Sequence, residues 1–333
     1  MNTLSRRQIL SMMLAFGMAP SFATAAGKYP VRPLRLIIPF AAGGGQDIFM
    51  RHAGPILNKH LGETVILENR AGASGIVGAS HVKNAAPDGY TLLLGTAATH
   101  GMDQALAESM PYDAEKDFVP VCQIANVPLV LVTNAKLPVD SLEEFIALLK
   151  QHPGKYAYAS SGIGGPLHLA GELFKKVAQV DALHVPYKGS GPAMVDLVAG
   201  RTSFMFDTFA ATNAHVADGT LKIFGVASAE RFSGATDLPT LKEQGYDVQA
   251  NSWSAIFSPA GTPDSVVAAL LKAFQATVRD PELARKMLDI GFEPVVDSNP
   301  ESLGRFVSAE LKKWADVVEA AGLKKVKVAG PVR

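Results

Sequence analysis

Short apolar runs alternate with amphipathic stretches along most of this chain. Leu34-Arg35-Leu36-Ile37-Ile38-Pro39-Phe40 is closed by proline and glycines, a pattern that predicts a buried strand. Gly43-Gly44-Gly45-Gln46-Asp47 follows. From Ile48 to Leu61, Phe49, Ala53, Ile56, Leu57 and Leu61 then recur at helical spacing, and Gly62 supplies the stop. Thr64 to Glu68 predicts a strand, Gly75 to Ala85 a helix, and Tyr90 to Gly95 a strand entered through the Asp88-Gly89 turn. Strand and helix in alternation predict an α/β domain with a mostly parallel sheet.

The pattern restarts after Val127. Leu129 to Thr133 predicts a strand, and Ser141 to Gln151 a helix opened by a capping box with Glu144. Tyr156 to Tyr158 is a short strand, followed by the glycine-rich turn Ser160 to Pro166 and a helix over Leu167–Ala178. His184 to Tyr187, a helix from Pro192 to Ala199, and strands at Ser203–Phe206 and Leu221–Val226 complete the series. The tail predicts helices over Asp264–Arg279, Pro281–Ile290 and Pro300–Ala321, whose apolar stripes need the first sheet as cover. The chain then crosses between two α/β lobes twice, near Val127–Thr133 and near Asn251–Pro259. This predicts one discontinuous lobe of residues 27–128 and 252–333, and a second of residues 129–251. Two such lobes on a two-strand hinge form a clamp with a ligand cleft between them, the shape of a solute-binding protein.

Residues 1–26 follow different rules. Arg6-Arg7, an uncharged stretch from Ile9 to Ala19, and the small residues Ala23-Thr24-Ala25 make up a secretory signal, with cleavage expected near Ala25 or Ala26. The adjacent arginines fit twin-arginine export as well as the general secretory route. Eleven helical residues rise about 16 Å, too short for a hydrocarbon core of about 30 Å. The expected location is the periplasm.

The 333 residues are 48% hydrophobic, which excludes intrinsic disorder. Thirty-one Lys and Arg balance 31 Asp and Glu, so no basic field exists to attract nucleic acid. The single cysteine, Cys122, cannot form an internal disulfide and reads as a small buried hydrophobe.

The candidate chemistry lies in glycine loops at strand ends. In Pro39–Asp47 three consecutive glycines let the backbone approach a guest, and the helix that follows aims free N–H groups and about +0.5 of dipole charge at it. An anion is the expected guest, with Asp47 at the helix start as a capping group. Ala159–His168 repeats the arrangement in the second lobe and adds the hydroxyls of Ser160 and Ser161; Tyr187–Pro192 is a third such loop, with Lys188. Sites facing one another across a cleft suit a small molecule with two separated carboxylates. Asp207, at a strand end, either caps its own turn, or orders the cleft loops or accepts from a ligand donor. Trp253 suits a cleft wall or a core. His100 and His168, near the loops, either face the cleft or satisfy local backbone.

Competing chemistries fail on spacing. There is no phosphate-loop motif, and the glycine runs miss the dinucleotide fingerprint. Gly72-Ala73-Ser74-Gly75-Ile76 misses the hydrolase nucleophile elbow by one residue, and no zinc-binding motif is present. No catalytic residue, metal or cofactor is expected.

Several blocks in order resemble the Bug family, the extracytoplasmic substrate-binding proteins of tripartite tricarboxylate transporters. They are Tyr29–Arg35, Pro39–Asp47, Glu68–Ala73, Ala86–Leu92, Pro111–Asp113, His168–Phe174, Val185–Ser190, Met205–Asp207 and Pro259–Pro263. The resemblance implies a type II periplasmic-binding-protein fold closing on a small carboxylate, which backbone amides and bridging waters hold. It places ligand contacts at Phe40, Ala42, Gly43, Gly44, Gly45, Gln46 and Asp47, and at Ser160, Ser161, Gly162, Gly164, His168, Gly189 and Asp207. Gln46 stands where many members have Thr or Ser, and Gly165-Pro166 replaces a more polar pair, so a relative's substrate does not transfer directly. The implied partners are a small organic carboxylate (aliphatic di- or tricarboxylate, acidic amino acid or aromatic acid) and integral membrane transporter subunits, with the protein itself a monomer. A ligand sensor for a membrane signalling kinase and an exported hydrolase are the alternative readings.

Overall fold

The computed structural model describes residues 29–325. The expected signal segment lies outside them. Strand β1 (Leu34–Ile38) pairs in parallel with β2 (Val65–Asn69) on one side and β3 (Thr91–Thr96) on the other. A strand flanked and covered in this way is apolar apart from exposed Arg35, and Leu34, Leu36, Ile37 and Ile38 are all fully buried. Helix α1 (Gly45–Leu61) turns Phe49, Met50, Ala53 and Leu57 inward and packs on α8 (Asp264–Val278). It ends at Gly62, whose φ of 74° is the left-handed stop that glycine accepts readily.

The rest of this sheet departs from the parallel expectation. Its order is β11-β4-β10-β3-β1-β2, and β10 (Ser252–Pro259) runs antiparallel to both β3 and β4 (Phe118–Val127). The reason is topological: β4 carries the chain out of the sheet and β10 brings it back, so the two run in opposite directions. The two-residue β11 (Glu293–Pro294) adds a short antiparallel edge on β4.

The second sheet has the order β7-β6-β8-β5-β9. Here β6 (Ala157–Ser160) lies parallel to β7 (Leu183–Pro186) and β8 (Phe204–Thr208), while β5 (Leu129–Asn134) runs antiparallel to β8 and β9 (Leu221–Val226). Helix α4 (Leu142–Gln151) is capped by Ser141, which accepts from Glu144 N–H. The predicted capping box is displaced by one residue, because Glu144 Oε2 takes the N–H of Asp140 at 2.7 Å rather than that of Ser141. Between the sheets the chain runs from Val127 to Leu129 through Pro128 alone, and it returns through Asn251 into β10.

Helix α10 (Pro300–Ala320) packs on β4, on α3 (Asp103–Leu106) and on α5 (Pro166–Ala178), so it touches elements of both sheets. The carboxylate of buried Glu310 accepts from Trp253 Nε1 at 2.9 Å and Trp314 Nε1 at 3.0 Å, and also pairs with Lys313. Trp253 therefore belongs to the core. Lys313 Nζ donates onward to the Gln249 carbonyl at 3.2 Å, beside the return crossing. Cys122 is buried and its thiol is pushed up to about 12, consistent with an inert packing residue.

Candidate ligand-binding site

Strand β1 delivers the chain to Phe40, whose carbonyl accepts from Asn69 Nδ2 at 3.1 Å. Ala41 to Gly45 are then exposed and turn into α1 with no side-chain cap, since the N-cap is Gly44. Asp47 faces away from the opening. It is buried, takes the Gly43 N–H at 2.9 Å and Arg51 Nε at 2.7 Å, and is held below the usual carboxylate range chiefly by Arg51. Its anchoring of Gly43, at φ 80°, fixes the shape of the loop. Gln46 is also engaged internally, accepting from Ser254 Oγ at 2.8 Å.

The second-lobe loop is braced from behind. Ser160 Oγ accepts from Gly162 N–H at 3.2 Å and lies 2.7 Å from His184 Nε2. Gly164 N–H donates to His168 Nδ1 at 2.9 Å, and the His168 and His184 rings stack at 3.8 Å with Tyr158 against His184. An Nδ1 that accepts a hydrogen bond requires neutral His168. Burial supplies that state by lowering its pKa, and burial likewise takes His184 down to about 4. Serine and histidine at this distance resemble a nucleophile and its base. Yet Ser160 is fully buried, and among the described residues no carboxylate lies within 4.0 Å of a His184 ring nitrogen. The pair serves the loop. Helix α5 then starts behind Gly165, again without a side-chain cap.

The third loop ends at Gly189, φ 123°, which opens α6 (Ser190–Val198) with no side-chain cap. The Ser190 hydroxyl donates to Asp207 Oδ2, and Asp207 Oδ1 accepts the Thr208 N–H at 2.8 Å. Asp207 thus caps its own turn and also ties β8 to the start of α6. Burial raises its carboxyl.

A cavity of about 560 Å³ opens between elements of the two sheets. From the second lobe it is lined by Ser161, Gly162, Ile163, Gly164 and Gly165; from the first by Ala73, Ser74, Ile76, Asp103, Leu106 and Ala107; and from the tail by Leu323 and Lys324. Leu106 and Gly164 meet across it so closely that a Cβ on Gly164 would lie 2.9 Å from Leu106 Cδ1. Of the residues expected from the sequence, Ser161, Gly162 and Gly164 form its wall, with Ser160 and His168 bracing them. Phe40 sits beside Gly75 at the margin, where a Cβ on Gly75 would lie 3.5 Å from Phe40 Cζ. Ala42 to Asp47, Gly189 and Asp207 are not part of the lining.

Sequence reasoning missed the first-lobe wall. Ala73 and Ser74 are non-glycine residues at φ 44° and 58°, a conformation that no residue pattern announced. Asp103 follows a widened turn, Ala98–Met102, in a stretch with no periodicity. Burial pushes its carboxyl up to about 7, with the nearby Ser74 hydroxyl pulling the other way. His100 is withdrawn into the core, stacked on Phe257 at 4.0 Å and lowered by burial to about 3. Among the described residues no group of three or more His, Cys, Asp or Glu is placed to hold a metal ion.

Two α/β sheets joined by a double crossing, with a braced glycine loop on the wall of a cavity between them, define a periplasmic-type solute-binding protein. The chain matches the profile of the tripartite tricarboxylate transporter family receptor over residues 49–323, and it belongs to that family. It is 36% identical to the protein BugT of Bordetella pertussis over 302 residues, 90% of this chain and 92% of that protein. Among solved structures, it is similar to a Rhodopseudomonas palustris protein determined with adipate (34% identity, TM-score 0.74, 88% of this chain and 98% of that one). It is also similar to MatC of the same organism with bound malate (32% identity, TM-score 0.71, 87% of this chain and all of the other). The family is one of transporter binding proteins, not enzymes.

Proposed function

We propose that this protein captures a small organic carboxylate in the periplasm, as a monomer freed of its signal near Ala25 or Ala26, and hands it to integral membrane transporter subunits. The observation that carries the reading is how the helices begin. Ser141, Thr208, Asp280 and Asn299 satisfy the first-turn N–H groups of their helices with side-chain oxygens. Gly44, Gly165 and Gly189, on the three glycine loops, offer none, as do Gly75, Met102 and Pro263 elsewhere; of these, the Gly165 loop lines the cavity and leaves first-turn N–H groups available to an anion there. The aliphatic part of the cavity wall suits the carbon skeleton. Relatives solved with adipate and malate support a carboxylate as the guest. Among the described residues no helix is long and apolar enough to cross a membrane, so transport needs membrane partners.

The test is a thermal-shift screen of ligand-stripped protein against mono-, di- and tricarboxylates, acidic amino acids, aromatic acids and neutral controls. A carboxylate at a hundredfold excess over its Kd should stabilise the fold by about 2.7 kcal/mol. A response to neutral solutes alone would refute the reading. Gly44→Val should abolish the response, because Gly44 has an extended backbone open to an L side chain, whose Cβ meets the Ala41 carbonyl at 3.3 Å and so needs it to give slightly, while the valine covers the amides. An unchanged Kd in this variant would remove the first loop from the site.

A further inference from the structure

Resting on the clamp reading, we propose that Gly291–Glu293 is a strap beside the hinge that holds the two lobes in the open arrangement and so sets how tightly the cavity retains its guest. The segment follows α9 (Pro281–Asp289) and is fixed to the first lobe from behind. Phe292 is buried, its ring 5.2 Å from that of Phe49, and a Cβ on Gly45 in the first glycine loop would lie 3.3 Å from Phe292 Cε2. Glu293 pairs with Asn126 in the β4 ladder, just before Pro128, and the Val295 N–H donates to the Ile124 carbonyl at 3.2 Å.

The residues on either side of Phe292 reach the second lobe. Glu293 Oε1 accepts the N–H of exposed Ser233 at 3.0 Å. The preceding residue, Phe232, is buried with its ring 5.2 Å from that of Phe209, so the donor stands on a firm support. Gly291, at φ 76°, lies against the first turn of α7 (Phe209–Ala217), where a Cβ would come within 3.0 Å of Ala210 Cβ. Glycine accepts both that conformation and so close an approach. The cavity meanwhile stands open to water, because Ile163 on its wall is 71% exposed. Closing on a guest covers that wall by turning one lobe against the other about Pro128 and Asn251. The turn moves Ser233 and Ala210 with the second lobe while Gly291 and Glu293 stay with the first, so the strap contacts belong to the open arrangement and oppose closure. Contacts that favour the open arrangement lower the closed fraction, and the apparent Kd rises in inverse proportion.

The experiment compares Glu293→Ala, which removes the acceptor, with Glu293→Gln, which keeps one of the same shape. Spin labels on Ile66→Cys and Val195→Cys, both exposed and on opposite lobes, report the lobe distance in ligand-stripped protein. Glu293→Ala should shift that distribution toward shorter distances, and Glu293→Gln should leave it as in the native chain. Calorimetric titration with malate and with adipate should show Kd tightened by about two- to tenfold in the alanine variant alone, as the loss of one hydrogen bond from the open arrangement requires. An unchanged or lengthened distance in Glu293→Ala would overturn the inference, whatever the acids do. A glutamine variant that behaves like the alanine variant would overturn it as well. Silence from both acids and from the wider screen would refute the carboxylate reading, while the distance measurement would still decide this inference on its own.

Discussion

At the scale of single residues, Asp103, Asp207, His168 and His184 are shaped more by burial than by charge partners, whereas Asp47 is set by Arg51, and this has consequences for stability. Asp103 holds its proton to about pH 7 in the folded chain, against an ordinary value of 3.8. Between those two values the folded state binds more protons than the unfolded state, so the Asp103 contribution declines as pH rises through the window. Asp103→Asn cancels that decline. Relative to the native chain it should gain stability on going from about pH 5 to about pH 8, by on the order of a few kcal/mol. Denaturant unfolding of both proteins at the two pH values measures this, and a constant difference would show that Asp103 is hydrated or paired when charged. The lowered histidines, His100 and His184, push in the opposite direction but are common to both proteins and cancel. Single-residue roles were the least legible part of the sequence. Asp47 and Gln46 were visible as loop residues, but their engagement with Arg51 and Ser254 depends on tertiary neighbours. Ser254 is 208 positions away from Gln46.

At the scale of elements, periodicity recovered most strands and helices because their burial is regular. Helix α1, for example, begins at Gly45, three residues before the expected Ile48, since glycines obscure a helical pattern without preventing a helical turn. Strand β4 and helix α7 (Phe209–Ala217) were not predicted. The first is interrupted by Pro120 and by polar residues; the second buries only Thr212 and so shows no apolar stripe. The glycine loops were legible as loops, and His168 satisfies local backbone, one of the two roles its place near the loop allowed, though its partner Gly164 was not legible. Replacing His168 by Leu strands the Gly164 N–H at a cost of about 1–3 kcal/mol and should loosen residues 161–165. Faster amide exchange in that segment and a weaker Kd are the expected results, and native-like exchange would remove the brace from the argument. Acid should do the same in the native protein. His168 has a folded pKa below its ordinary 6.5, so its contribution is complete above that value and is lost as pH falls through the lowered one.

At the scale of the whole molecule, a clamp must hinge where its covalent connections are thin, and here these are Pro128 and Asn251. The long tail helix adds a third, non-covalent tie, anchored by the Trp253 indole on Glu310 and by Lys313 on the Gln249 carbonyl. This arrangement separates two functions. The crossings are where rotation is expected, and α10, packed against β4 and α5, is expected to limit it. The prediction uses the buried state of Cys122, which leaves it unreactive so that labels can be placed elsewhere. Spin labels on cysteines introduced at exposed Ile66 and Val195 sit on opposite lobes, and carboxylate binding should shorten and narrow their distance distribution. Glu310→Ala leaves two buried indole N–H groups unpaired, costing about 2–5 kcal/mol, and should broaden the unliganded distribution. A distance that carboxylate leaves unchanged, in protein shown by calorimetry to bind it, would mean that the cavity is filled without lobe motion. The glycine amides would then have to hold their guest in the arrangement already present, with Leu106 against Gly164 as a fixed wall and not one that closes.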